Sequence, residues 1–129
     1  VQILESALYA EDLVAAREFY VRVLGLPEIS FDPERSLFLR CDGGILIVFR
    51  ASKTRIADAG IPPHGTTGAG HLAFWASRQE IERWKAKFAE QNVPVIQEMD
   101  WKNGARSIYF NDPAGNVLEF ATPDLWGMA

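Results

Sequence analysis

"RSIYFNDPAGNVLEF" spans residues 106–120, and its last residues pose the problem that decides the fold. Glu119 stands among Val117, Leu118, Phe120 and Ala121. A buried, unpaired carboxylate costs several kcal/mol or takes up a proton. A partner for it is therefore expected elsewhere in the chain. The stretch itself reads as a β-hairpin, with two apolar strands around the polar turn "DPAGN". That turn is no phosphate loop, because it lacks the lysine and following helix of one.

An earlier stretch has the same form. "SLFLRCDGGILIVF" (36–49) lies over "SIYFNDPAGNVLEF" (107–120) without a gap, pairing Ser36 with Ser107, Phe38 with Tyr109 and Val48 with Glu119. Ahead of the hairpins, "ESALYA" (5–10) lies over "HLAFWA" (71–76) as a short strand, so Glu5 matches His71. Each strand precedes a helical pattern. Leu13, Ala16, Phe19, Tyr20, Val23 and Leu24 recur at i, i+3, i+4 spacing, as do Ile81, Trp84 and Phe88. Gly25 with Pro27, and Asn92 with Pro94, mark the helix ends. Short strands follow near 28–31 and 94–99.

The chain thus reads as an α+β fold of two βαβββ modules forming a curved, barrel-like mixed sheet with an internal cavity. One domain is expected over 1–129. Module one covers 1–50, a connecting loop 51–69, module two 70–122 and a tail 123–129. The Gly, Pro and Thr content of 51–69 predicts a crossing loop without a helix.

Composition narrows the partners. The 129 residues are 48% hydrophobic and 23% charged, with net charge −4. Lys and Arg are scattered, which argues against nucleic acid or an anionic membrane surface. No apolar run approaches the ~18 residues of a membrane span. Cys41 is the only cysteine. It fits a reducing cytoplasm and reads as a small core residue.

Strand alternation puts Glu5, Ala7 and Tyr9 on one face, and His71, Ala73 and Trp75 on the equivalent face. Val117, Glu119 and Ala121 share a face of the last strand. The repeated module resembles the vicinal oxygen chelate superfamily, which includes glyoxalase I, extradiol dioxygenases, fosfomycin-resistance enzymes and bleomycin-binding proteins. "SIYFNDPAGNVLEF" is similar to its Y-F-x-D-P-x-G-N/H-x-x-E signature. "GHLAF" resembles its strand bearing a metal-binding His, and "LYAEDLVAAREFYVRVLGL" its first strand and helix. The resemblance implies Glu5, His71 and Glu119 as ligands of one divalent ion: Mn, Fe, Zn, Ni or Mg. Two sequence departures bear on the chemistry. Glu5 stands where His or Gln is usual, and Val48 stands where glyoxalase I carries a Glu. One His and two Glu form a harder, more negative set than an oxygen-activating two-His triad.

The resemblance also implies a small oxygen-bearing substrate and a homodimer. The reaction classes left open are isomerase, lyase, thiol or epoxide transferase, and dioxygenase. His64 and Tyr109 are the candidates for proton transfer. Tyr9, Trp75, Trp101, Arg106 and Ser107 are candidate substrate contacts, with Ser107 and Tyr109 alternating on one strand against a polar or anionic group. Packing alone also accounts for Tyr109, Tyr9 and Trp75, and solvation for Arg106 and His64. Leu125 and Trp126 in the tail suit either their own domain or a second chain. The alternative function is a metal-free binding protein of the bleomycin-resistance type, gripping a flat or hydrophobic ligand with Tyr9, Phe38, Trp75, Trp101 and Tyr109.

Overall fold

A computed structural model describes residues 1–57 and 60–129. It divides into two compact units, 1–70 with 112–116, and 71–111 with 117–129. Each unit holds one four-stranded mixed sheet, so the expected α+β repeat is present.

In the first unit, β1 (Glu5–Tyr9) is followed by α1 (Leu13–Arg17), β2 (Glu28–Asp32), β3 (Ser36–Cys41) and β4 (Gly44–Phe49). The sheet order is β1-β4-β3-β2, with β1 parallel to β4 and the other pairs antiparallel. Asp12 caps α1 by accepting from the Ala15 amide at 3.0 Å. The helix then continues as a π-helical turn, Glu18–Val23. This wider turn brings the consecutive residues Phe19 and Tyr20 both into the core, where their rings meet edge to face. Gly25, at φ +74°, ends the helix in a conformation that suits a residue without a Cβ. The apolar face of α1 packs on Leu37, Leu39, Leu46 and Val48 of β3 and β4, all nearly inaccessible to solvent.

The second unit repeats the plan. β5 (His71–Trp75), α3 (Arg78–Glu90), β6 (Gln97–Asp100), β7 (Arg106–Asn111) and β8 (Val117–Ala121) give the order β5-β8-β7-β6. Ser77 and Glu80 form a reciprocal capping box at the start of α3. Asn92, at φ 56°, follows its end. Ile81, Trp84 and Phe88 lie toward the sheet, where Trp84 stacks on Phe120 at 4.8 Å and Phe88 meets Phe110 at 4.7 Å. A 3₁₀ turn, Pro123–Trp126, closes the chain and leaves Trp126 exposed.

Two readings are corrected. The connecting stretch 51–69 does contain a helix, α2 (Ala51–Thr54). One turn is too short to show a 3.6-residue period. Glu11 receives hydrogen bonds from the Ser52 amide and hydroxyl, and the His64 amide donates to Thr54 O at 3.0 Å. Gly65 sits so close to this turn that a Cβ there would lie 3.2 Å from that of Ala51. Residues 58 and 59 of the stretch lie outside the described residues.

The second correction concerns register. Arg40 pairs with Ile45 across the first hairpin, and Asn111 pairs with Val117 across the second. Four residues intervene in the first case and five in the second, so the gapless overlay slips by one on the last strand. A slip of one residue exchanges the faces of a strand. The position equivalent to Glu119 is therefore Ile47, since Phe38 pairs with Ile47 as Tyr109 pairs with Glu119. Val48 points to the helix side and is fully buried. The first module still offers no carboxylate on its last strand.

The longer turn is specified by its own residues. Asp112, buried, accepts from the amides of Ala114 and Asn116 at 2.9 Å each and from Asn116 Nδ2 at 2.8 Å. The Tyr20 hydroxyl adds a fourth donor at 2.7 Å. Asn116 in turn donates to Tyr9 O and accepts from the Gly70 amide. Burial, and then the Asp112 charge, push the Tyr20 phenol far above its ordinary 10.0.

Candidate functional site

Glu119 is buried on β8, and two side chains meet its oxygens. Ser107 Oγ donates to Oε2 at 2.6 Å, and His71 Nε2 lies 3.3 Å from Oε1. Ser107 is itself fully buried and receives the Trp101 indole N–H at 2.9 Å. An indole N–H can only donate, so the serine hydroxyl accepts from Trp101 and directs its own proton to Glu119. A carboxylate among apolar neighbours is thus held by a directed relay from the turn after β6 through β7 to β8. The local reason is strand alternation: Ser107 and Tyr109 share a face with Glu119, their paired neighbours being Ala121 and Glu119.

His71 is half exposed and pinned at its other nitrogen. Nδ1 lies 2.8 Å from Val117 O. A carbonyl only accepts, so Nδ1 carries the ring proton and Nε2 turns its lone pair toward Glu119. Two acceptor atoms facing each other at this distance call for a cation between them, either a second proton or a metal ion. Metal-ligating histidines commonly donate their remote N–H to a carbonyl in this way. Neighbouring donors each ~2.0–2.2 Å from one ion are themselves roughly 3.0–3.4 Å apart. The observed 3.3 Å fits that requirement. His71 and Glu119 therefore suit a divalent ion as two donors. Among the described residues, no group of three His, Cys, Asp or Glu side chains is gathered as a metal set.

Tyr109 stacks over His71 with ring centroids 6.3 Å apart. Its phenol is pushed up, first by burial, then by the Glu119 charge and a hydrogen bond to it. It remains protonated around neutrality and acts as a donor. Trp75, on the same face of β5, is 59% exposed. Arg106 leaves this face altogether. It reaches Glu82 and Glu98 at 2.8 Å each and Asp100 at 3.5 Å on the helix side of the sheet. Three carboxylates already occupy its guanidinium.

Glu5, Tyr9 and His64 belong to the first unit. Glu5 is exposed on β1 and lines a cavity of about 750 Å³ over the open face of that sheet. His64 lines the same cavity, with Tyr9 Oη 2.7 Å from its Nδ1 and Phe49 edge to face at 4.8 Å. The floor is apolar: Phe38, Ile45, Ile47 and Phe49. Sequence reasoning missed Arg35 and Arg40, which line this cavity too. The signal was available for Arg40, which follows Ser36 and Phe38 at period two. The Trp101 to Ser107 bond was also unforeseen, because it crosses an irregular turn.

No helix among the described residues is long and apolar enough to cross a membrane. None of the curated proteins compared matches the chain. Among solved structures, lactoylglutathione lyase from Agrobacterium tumefaciens is 40% identical, with a TM-score of 0.94 over 98% of this chain and 96% of that one. A glyoxalase/bleomycin resistance protein/dioxygenase from Nocardioides is 26% identical, with a TM-score of 0.75 over 95% of this chain and 83% of the other. TioX from Micromonospora sp. ML1, 20% identical over 95% of this chain and 98% of its own, shares the fold with a TM-score of 0.74. The profile of the Glyoxalase/Bleomycin resistance protein/Dioxygenase superfamily matches residues 2–120, which carry both modules and the His71–Glu119 pair. The chain belongs to that superfamily.

Proposed function

We propose that the protein is a divalent-metal-dependent enzyme acting on a small oxygen-bearing substrate, with His71 and Glu119 as two of the ion's protein donors. The observation that carries this reading is the pinned imidazole, whose free nitrogen meets a buried carboxylate oxygen at 3.3 Å. Ser107 supports it by fixing the other oxygen of Glu119. The ion, when bound, supplies Lewis acidity toward a substrate oxygen. Tyr109 offers a phenol proton beside it. Among the open reaction classes the 40% identical relative favours a lyase acting on a thioester such as lactoylglutathione. Ile47 stands where glyoxalase I carries a carboxylate on the last strand of the first module. The proposal includes a homodimer and a cytoplasmic setting, the latter supported by the single free thiol of Cys41.

The test is elemental analysis of protein purified without chelator or a His-tag, with thermal shifts in Mn²⁺, Fe²⁺, Zn²⁺, Ni²⁺ and Mg²⁺. At a hundredfold excess over Kd, binding adds about 2.7 kcal/mol to stability. Near-stoichiometric metal, lost in His71→Ala and Glu119→Gln, is expected. Full loading of both variants would refute the assignment. A lactoylglutathione assay of the loaded protein then tests the lyase reading separately.

The apolar cavity of the first unit favours a second reading, a metal-free binding protein. Absence of any thermal shift with all five ions would select it.

A further inference from the structure

We infer that Asp124, in the closing turn of the chain, is a positioning residue for Glu119: it holds the turn that bears Trp101, and Trp101 acts through Ser107 on the carboxylate. The inference rests on the reading of Glu119 as a metal donor. The observations all lie within the second unit. Trp101 stands outside the strands, in a turn whose Lys102, Asn103 and Gly104 are exposed. The turn closes on its own backbone, with Trp101 N donating to Ala105 O at 2.8 Å and Gly104 N to Trp101 O at 2.9 Å. Exposed tips of small and polar residues are where a chain is least ordered unless something ties them down.

The ties come from the closing turn, Pro123–Trp126. Arg78 Nη2 donates to Gly104 O and, at 2.9 Å, to Asp124 Oδ2. Asn103 Nδ2 donates to the carbonyl of Asp124 at 3.0 Å. The Thr122 hydroxyl donates to Asp124 Oδ1 and accepts from the Arg106 amide at 2.9 Å, one residue before Ser107. Thr122 is buried, which keeps its hydroxyl on these two partners. Asp124 is thus joined to residues 103, 104 and 106, which lie between the donor Trp101 and its acceptor Ser107. The consequence falls on Glu119. The indole N–H, at 2.9 Å, occupies a lone pair of Ser107 Oγ and leaves the serine proton for Glu119 Oε2 at 2.6 Å. With Oε2 held, Oε1 is the oxygen that faces His71 Nε2. A slack turn withdraws the indole, frees the serine hydroxyl to rotate and releases the carboxylate from that one orientation. Partners of a ligating side chain tune metal affinity in this way.

The test begins on the metal-free full chain. The indole N–H signals of the four tryptophans are recorded by ¹⁵N NMR, and the one missing in Trp101→Phe belongs to Trp101. In Asp124→Ala this signal is expected to shift, and its exchange with water to quicken about tenfold or more. Calorimetric titration with Mn²⁺ and with Zn²⁺ then reads the carboxylate. Asp124→Ala and Trp101→Phe are each expected to weaken binding about three- to tenfold, at or below the lower end of what a ligand's direct partners contribute. Because both act along one path, the double variant should bind no more weakly than Trp101→Phe alone. A merely structural Asp124 would instead give losses that multiply. Asp124→Asn, which keeps the shape and one accepting oxygen, carries the same measurements should the alanine variant not fold, with smaller changes in the same direction. An unchanged Trp101 signal, multiplying losses or undiminished metal affinity in the Asp124 variants would each overturn the inference. A wild type that takes up neither ion refutes the metal reading, and the indole signal still decides whether Asp124 positions Trp101.

Discussion

The two sheets share one plan and present different open faces. On the first, Glu5, Phe38 and Ile47 occupy the positions that His71, Tyr109 and Glu119 occupy on the second. Ser36 and Ser107 are the same residue at the same place, and Ser107 donates to a carboxylate, Glu119. One face is an apolar floor with Arg35 and Arg40 at its side. The other is a buried carboxylate held by hydrogen bonds, with an imidazole pinned beside it. The same backbone thus supports an apolar face in one copy and polar chemistry in the other, and the difference lies in side chains at matched positions.

Carboxylates introduced into the first sheet give the sharpest way to break this comparison. Val48→Glu would bury a charge against α1 with no partner and is expected to cost roughly 4 kcal/mol or more. Ile47→Glu places the same group on the cavity face, as Glu119 is placed, and should cost at least ~2 kcal/mol less, since water reaches that cavity. Urea melts of the two variants read the difference. Equal losses would mean that the two positions are not separated by the one-residue register difference.

A smaller effect is expected in the second sheet. Ser107→Ala removes the hydroxyl that joins Trp101 to Glu119 and leaves both without that partner, for a loss of about 1–3 kcal/mol. Ser36→Ala, its counterpart, should change stability by less than ~0.5 kcal/mol. Similar losses at both serines would show that the relay contributes nothing specific to the second copy.

The smallest effect tests the turn that sets the register. Tyr20→Phe deprives Asp112 of one of four donors and should cost about 1–2 kcal/mol near neutrality. Because the native phenol is raised above 10.0, the folded state holds its proton more tightly than the unfolded chain. Its contribution is whole below that value and is lost as pH rises beyond it toward the higher native pKa. The wild type should therefore lose stability above about pH 10 more steeply than Tyr20→Phe. Parallel pH profiles of the melting midpoint would contradict the assignment.

Much of this was legible in the sequence because the signals are local. Period two on Glu5, Ala7 and Tyr9, period 3.6 on Ile81, Trp84 and Phe88, and the D-P-x-G-N turn each specify their element with neighbouring residues alone. Glu119 announced itself as a carboxylate in need of a partner, and Ser107 and His71 answer that need. What could not be read was length. A hairpin longer by one residue leaves no mark in composition, yet it moves the equivalent of Glu119 from Val48 to Ile47. The one-turn helix at Ala51–Thr54 was illegible for the same physical reason, being shorter than the period that reveals a helix. The three carboxylate partners of Arg106 come from α3 and β6, which no neighbouring residue foretells.

The π-helical turn at Glu18–Val23 and the five-residue loop of the second hairpin bear on how duplicated chains drift apart. A residue added within a strand would turn every later side chain to the wrong face. A residue added in a helix can be absorbed as a wider turn, and one added in a hairpin as a longer loop. Copies of such a module are therefore free to change length at those two kinds of place, and within a strand only through an irregularity such as the one between Glu28 and Ser30 of β2. Future alignments of the halves should open their gaps there.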